Sequence, residues 1–178
     1  MEKKRTSIFL IFFLCVPFLL FGCGDDKLPE PIPLSSQPTA KVVISPPSGA
    51  VSQGSVFTRT VEVQNLKGTF FAAFDVTYNP AVIEFQNVAE GTFLNKNGTD
   101  ATSVQVALQN AAQGSVAVGL TRLGPIGDVS GSGMLLTLTF KAVGPGITRL
   151  AFQHPRGLKN SDNQDVTSSW EDGTVTVQ

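Results

Sequence analysis

Residues 70–93 read FFAAFDVTYNPAVIEFQNVAEGTF. Phe70, Ala72, Phe74, Val76 and Tyr78 are apolar, and Phe71, Ala73, Asp75 and Thr77 lie between them. A period of two puts one side of an extended segment in a core and the other outside it. Asn79-Pro80 ends the segment. Proline gives no N–H to a ladder and pushes the preceding residue out of helical geometry. A second apolar run, Val82–Val88, starts at once and closes on Glu90-Gly91.

The same alternation recurs on both sides of this stretch. Val42–Ser45 is a short strand. Phe57, Val61 and Val63 point one way, with Thr58, Thr60 and Glu62 the other. Val104, Val106 and Leu108 alternate with Gln105, Ala107 and Gln109, and Val116, Val118 and Leu120 with Ala117, Gly119 and Thr121. Met134, Leu136, Leu138 and Phe140 are assigned inward, against Leu135, Thr137, Thr139 and Lys141. Leu150 and Phe152 form a short run, and Val175 and Val177 close the chain. Pro46-Pro47, Lys67-Gly68, Gln113-Gly114, Pro145-Gly146 and Asp172-Gly173 supply turns. Many short strands between turn signals predict an all-β sandwich or barrel with minimal helix.

The pieces also come in a familiar order. Gly54-Ser55-Val56 leads into a run ending Val63-Gln64-Asn65-Leu66. Ala73–Pro80, Ile83-Glu84, Gly114-Ser115-Val116 and Gly131–Phe140 (GSGMLLTLTF) follow, then Asn160–Val166 and Gly173–Val177. This order resembles the cohesin modules of bacterial cellulosomes from about Val42 to Gln178. The resemblance implies a nine-stranded jelly-roll β-sandwich whose outer sheet face docks the dockerin module of a partner protein. Cellulose-binding modules share the superfamily, so direct polysaccharide binding is the neighbouring alternative.

The first residues carry an address. Lys3, Lys4 and Arg5 precede Ile8–Phe21, an apolar run of about 14 residues where a bilayer span needs about 20. Charge followed by a short apolar run fits a secretory signal. Its end, Leu20-Phe21-Gly22-Cys23, resembles a bacterial lipobox, which implies removal of residues 1–22 and lipidation of Cys23. Residues 23–40 then form a linker with four prolines. At about 3.1 Å per residue, its seventeen residues after the cysteine reach about 50 Å at most. Gly24 in place of aspartate resembles the sorting pattern of the outer membrane or cell surface. Residues 41–178 are one domain by length.

Composition excludes several chemistries. Losing Lys3, Lys4, Arg5 and Glu2 leaves 10 basic and 13 acidic side chains, a net charge of −3 without a basic patch, which argues against nucleic acid. Cys15 and Cys23 are the two cysteines. The domain therefore has no thiol for disulfides, catalysis or metal binding. His154 precedes Pro155 in an expected loop, and the chain has neither a Gly-x-Ser-x-Gly nor a His-Glu-x-x-His motif. Glu84, Glu90, Asp100 and Asp128 can meet as paired carboxylates, but solvated turns account for them better. No enzyme, cofactor or metal site is expected. Asp162, Asn163 and Asp165 offer oxygens for calcium, yet lack the glycine and terminal glutamate of a calcium loop.

On the cohesin pattern, the partner face is the outward side of three strands. It comprises Phe71, Ala73, Asp75 and Thr77, then Gln105, Ala107 and Gln109, then Ala117, Gly119 and Thr121. Cellulosomal cohesins carry Asn and Asp where this chain has Phe71 and Ala73. Phe71 has two readings: an apolar anchor for a partner, or one of the many apolar groups that surfaces show. Trp170 can stack on a sugar ring, though packing beside the last strand is the stronger expectation. Three functions stay open: a lipid-anchored docking module, a polysaccharide-binding sandwich, and a structural envelope lipoprotein.

Overall fold

The computed structural model describes residues 39–110 and 112–178. The signal segment, Cys23 and the linker up to residue 38 lie outside the described residues. The described residues form one compact unit, and its core runs from Val42 to Val177. A unit with its own closed core has the anatomy of a domain that folds alone.

The described residues are all-β. The strands are β1 Lys41–Ser45, β2 Ala50–Val51, β3 Val56–Thr69, β4 Phe71–Thr77, β5 Ile83–Glu90, β6 Thr102–Asn110, β7 Ser115–Arg122, β8 Val129–Ala142, β9 Gly146–Lys159, β10 Ser169–Glu171 and β11 Gly173–Val177. They build a sandwich of two sheets, ordered β10-β1-β3-β8-β5 and β2-β11-β9-β4-β7-β6. The count is eleven rather than nine, and the shortest strands are β2 and β10. These two pair in parallel with β11 and β1, and all other pairs are antiparallel.

The opening stretch folds as its parity predicts. In β4, Ala72, Phe74 and Val76 are buried and their neighbours are partly exposed. Tyr78 is buried beyond the strand end. The Asn79 side chain then accepts from the Ala81 amide at 3.0 Å, while its carbonyl accepts from Val82 and Ile83. This local capture turns the chain into β5. Glu90-Gly91 has a steric cause: a Cβ on Gly91 would collide with the carbonyl oxygen of Met134. Glycine lets the chain lie flat on β8, where its amide donates to Leu135 at 2.8 Å.

The core between the sheets holds two aromatic groups. Phe140 meets Phe57, Tyr78 and Phe85 with centroids 5.4–5.9 Å apart. Phe74, Phe152 and Trp170 lie 5.0–5.7 Å from one another. Trp170 is half-buried there with the Arg156 guanidinium 5.7 Å over its ring, so packing is its role.

The structure corrects the reading of the sequence in three places. Leu135, assigned outward, is buried, while Met134, assigned inward, is only partly so. Val61 pairs with Leu136 but Glu62 pairs with Met134. Leu135 is thus the extra residue of a β-bulge, and the period of two slips there. Val106, assigned inward, is 38% exposed. It lies on the edge strand of the six-stranded sheet, bonded on one side only. His154-Pro155 lies within β9 rather than in a loop. Gln153 pairs with Asp75 and Gly157 with Ala73, so the residues between bulge out of register. A bulge is where a strand tolerates proline.

Candidate binding face

Strand register brings the outward residues of β9, β4, β7 and β6 into rows across one sheet. Lys159, Phe71, Thr121 and Ser103 form one row. Gly157, Ala73, Gly119 and Gln105 form the next, and Gln153, Asp75, Ala117 and Ala107 the third. Ala151, Thr77 and Ser115 follow. The predicted face residues are therefore neighbours, with one exception. Gln109 is the extra residue where β6 slips between Leu108 and Asn110, outside the alternation that placed it on the face.

The second row is the distinctive one. Three adjacent strands contribute Gly157, Ala73 and Gly119, and a Cβ on either glycine would meet no heavy atom within 4 Å. The row is a trough open to solvent, floored by backbone and one methyl group. A hollow of about 300 Å³ lies along it between Ala73, Asp75, Gln105, Ala107, Ala117 and Gly119. Phe71 forms one wall. It is half-buried, and it borders a hollow of about 170 Å³ with Ser103 and Gln105 and another of about 390 Å³ with Lys159 and Asn163. A further hollow, of about 380 Å³, lies elsewhere, among Asn65, Gly68 and Gln164–Thr167, and none of the predicted face residues lines it.

Polar groups on the face are few. Thr77 is engaged, its hydroxyl lying 3.4 Å from both the Ala151 carbonyl and the Gln153 amide. Thr121 donates to the Arg122 carbonyl at 3.1 Å. The Asp75 side chain has no hydrogen-bond or ion-pair partner among the described residues. It presents a free carboxylate beside the trough.

Two contributors were missed in the sequence. Gly157 joins the trough only because the β9 bulge restores its register, which no alternation of apolar residues signals. Arg122 is fully buried under the face, where its guanidinium donates to the Leu94 carbonyl and, at 2.6 Å, to Asp100. It ties the turn-rich segment between β5 and β6 to the end of β7. That hydrogen bond holds the Asp100 carboxyl below its usual range, with Lys96 adding to the effect against partial desolvation. The carboxylates considered for catalysis have separate engagements. Asp128 accepts from the Ser161 amide at 2.7 Å, Glu90 from the Thr102 hydroxyl, and Glu84 sits opposite Lys141. Among the described residues, no cluster of acidic or histidine side chains is arranged to hold a metal ion.

A family model described as the cohesin domain matches residues 40–177. The fold is similar to that of a non-cellulosomal cohesin from the archaeon Archaeoglobus fulgidus, at 19% identity and a TM-score of 0.63, covering 79% of this chain and 91% of that one. It is also similar to the sixth cohesin of scaffoldin B from Acetivibrio cellulolyticus, solved in complex with a mutant Cel5 dockerin: 17% identity, TM-score 0.65, 79% and 99% covered. A type I cohesin from Pseudobacteroides cellulosolvens gives 17% identity and a TM-score of 0.63, with 79% and 92% covered. At such identities the likeness is one of fold. No curated protein matches the chain.

Proposed function

The chain belongs to the cohesin domain family, and on that premise we propose that it is a non-catalytic docking module, held at the cell envelope by a lipid on Cys23. Its occupant is a dockerin-like segment of another protein, in the service of polysaccharide degradation. The reading is supported by the solved Acetivibrio cohesin, whose partner is a dockerin. The observation that carries it is the open Gly157–Ala73–Gly119 trough between Phe71 and the unpaired Asp75. Small residues let a partner backbone approach closely, and an aromatic wall supplies desolvated contact area.

The chemistry of the face favours a partner unlike the dockerins that cellulosomal cohesins meet with Asn and Asp. Phe71 and Ala73 offer no side-chain hydrogen bond. They suit a partner that presents an apolar side chain to the trough and a cationic group to Asp75. Trp170 packs against Phe74 and Phe152, so no observation favours the glycan alternative. Residues 24–40 would serve as the spacer between membrane and domain, on an outer membrane or cell surface.

The test is capture with the soluble domain, then titration calorimetry of the captured protein. Phe71→Ala is expected to weaken binding by about 2 kcal/mol, the level of a hot-spot residue. Gly119→Arg is expected to block it by bulk while leaving the fold intact, since a Cβ there meets no heavy atom within 4 Å and the side chain starts into the open trough. Unchanged affinity in both variants would move the site off this sheet.

A further inference from the structure

The sandwich has four strand edges, and three of them are blunted. β2 and β10 are two and three residues long. β5 carries Glu84 and Glu90 and a register shift between Phe85 and Asn87. Short strands, charges and bulges are the devices by which sheets avoid pairing with other chains. The fourth edge, β6, has none of them between Thr102 and Leu108. It reads TSVQVALQN, nine residues without a charge or a proline, and its shift comes only after Leu108.

The hydrogen-bond phase of β6 is fixed by its neighbours. Leu123 donates to the Ala101 carbonyl at 2.9 Å, and Arg122 donates away from β6, to Phe70, at 3.1 Å. Bonded pairs in an antiparallel ladder alternate. Ser103, Gln105 and Ala107 therefore spend their backbone groups on β7, opposite Thr121, Gly119 and Ala117. Thr102, Val104 and Val106 turn N–H and C=O toward the open edge, where no strand among the described residues pairs with them. At the same place the Val106 side chain is 38% exposed.

We propose that this edge is a self-association site, where β6 of a second copy pairs antiparallel to β6 about a two-fold axis at Gln105. Gln105 is the midpoint of the regular stretch Thr102–Leu108, so this register gives the longest ladder. It sets Val104 opposite Val106 of the second copy, and Val106 opposite Val104. Both residues have edge-facing backbone groups, so each such pair exchanges two hydrogen bonds. The exposed Val106 side chain gains a valine neighbour on the same face. A copy fits better than a foreign strand because β6 is neutral. It gives a charged partner nothing to recognise, and it does not repel itself. The contact is isologous and closes at two. It joins the six-stranded sheets of both copies into one and leaves both outward faces open side by side.

The test uses residues 36–178, which contain no native cysteine. Sedimentation velocity across micromolar to millimolar concentrations is expected to show a monomer–dimer equilibrium. Gln105→Cys is expected to form a disulfide dimer under mild oxidation, because facing Cα atoms at a non-bonded pair lie about 4.5 Å apart, within disulfide reach. Ala107→Cys should not, since its equivalents would lie about 13 Å apart, four residues out of register. Val106→Pro removes one edge-facing N–H without touching the β7 ladder and is expected to abolish the dimer. If that variant unfolds, Val106→Lys makes the same test by charge repulsion. A monomer at every concentration would overturn the proposal and leave the edge to a strand from another protein. A dimer that survives both Val106 changes, or equal crosslinking by the two cysteines, would overturn it as well.

Discussion

Replacing Phe74 by alanine tests the strand register on which both faces of β4 depend. Phe74 is 1% exposed and edge-on to Phe152 at 5.4 Å, with Trp170 tilted against it at 5.7 Å. Losing the ring forfeits about 2 kcal/mol of transfer free energy. If the surrounding strands relax little, a cavity of ~100 Å³ adds about 2.4 kcal/mol at ~24 cal/mol per Å³. The sum, about 4 kcal/mol, falls within the usual range of about 3–5 kcal/mol for buried Phe→Ala changes. The control is Thr139→Ala, whose side chain points outward from β8 and should change stability by about 0.5 kcal/mol or less. Urea unfolding followed by far-ultraviolet circular dichroism measures both without relying on Trp170, whose surroundings Phe74→Ala disturbs. Equal losses at the two positions would refute the inward assignment of Phe74, and with it the outward face on which Phe71, Ala73 and Asp75 stand.

Further outcomes follow from other contacts. Leu138→Ala, at a fully buried β8 position, should cost about 2–5 kcal/mol in the same melts. Gly91→Ala should destabilise by about 1–3 kcal/mol, because its methyl group meets the Met134 carbonyl and the turn must lift off β8. Asp100 has a folded pKa held below its unfolded value by Arg122. Its contribution is therefore present above about pH 4 and is lost as pH falls through the lower folded value. Asp100→Asn should flatten that part of the acid limb of a stability–pH profile, and an unchanged limb would contradict the pairing. Cys23→Ser should move the full chain out of the detergent phase, or leave it unprocessed, in a lipoprotein-processing bacterium. A wild-type mature mass without acyl chains would refute lipidation.

The sequence by itself determined the class of fold and most of the outward face. Alternation over Phe70–Tyr78 and Val116–Leu120 sorts side chains into two faces without knowledge of neighbours, because pleating is local. Asn79-Pro80 and Glu90-Gly91 mark turns for reasons also local to the backbone. Tertiary structure decided what depends on a second strand. Leu135 is inward only because β3 lacks a residue opposite it, and Gly157 reaches the trough only because β9 bulges at His154-Pro155. Val106 has an apolar side chain in an inward phase, yet it is exposed because β6 ends the sheet. Nothing in the sequence around Arg122 marks it out, and only the segment folded over it makes it a buried clamp on Leu94 and Asp100. Register and edge position are relations between segments far apart in the chain, and a period of two carries no information about either.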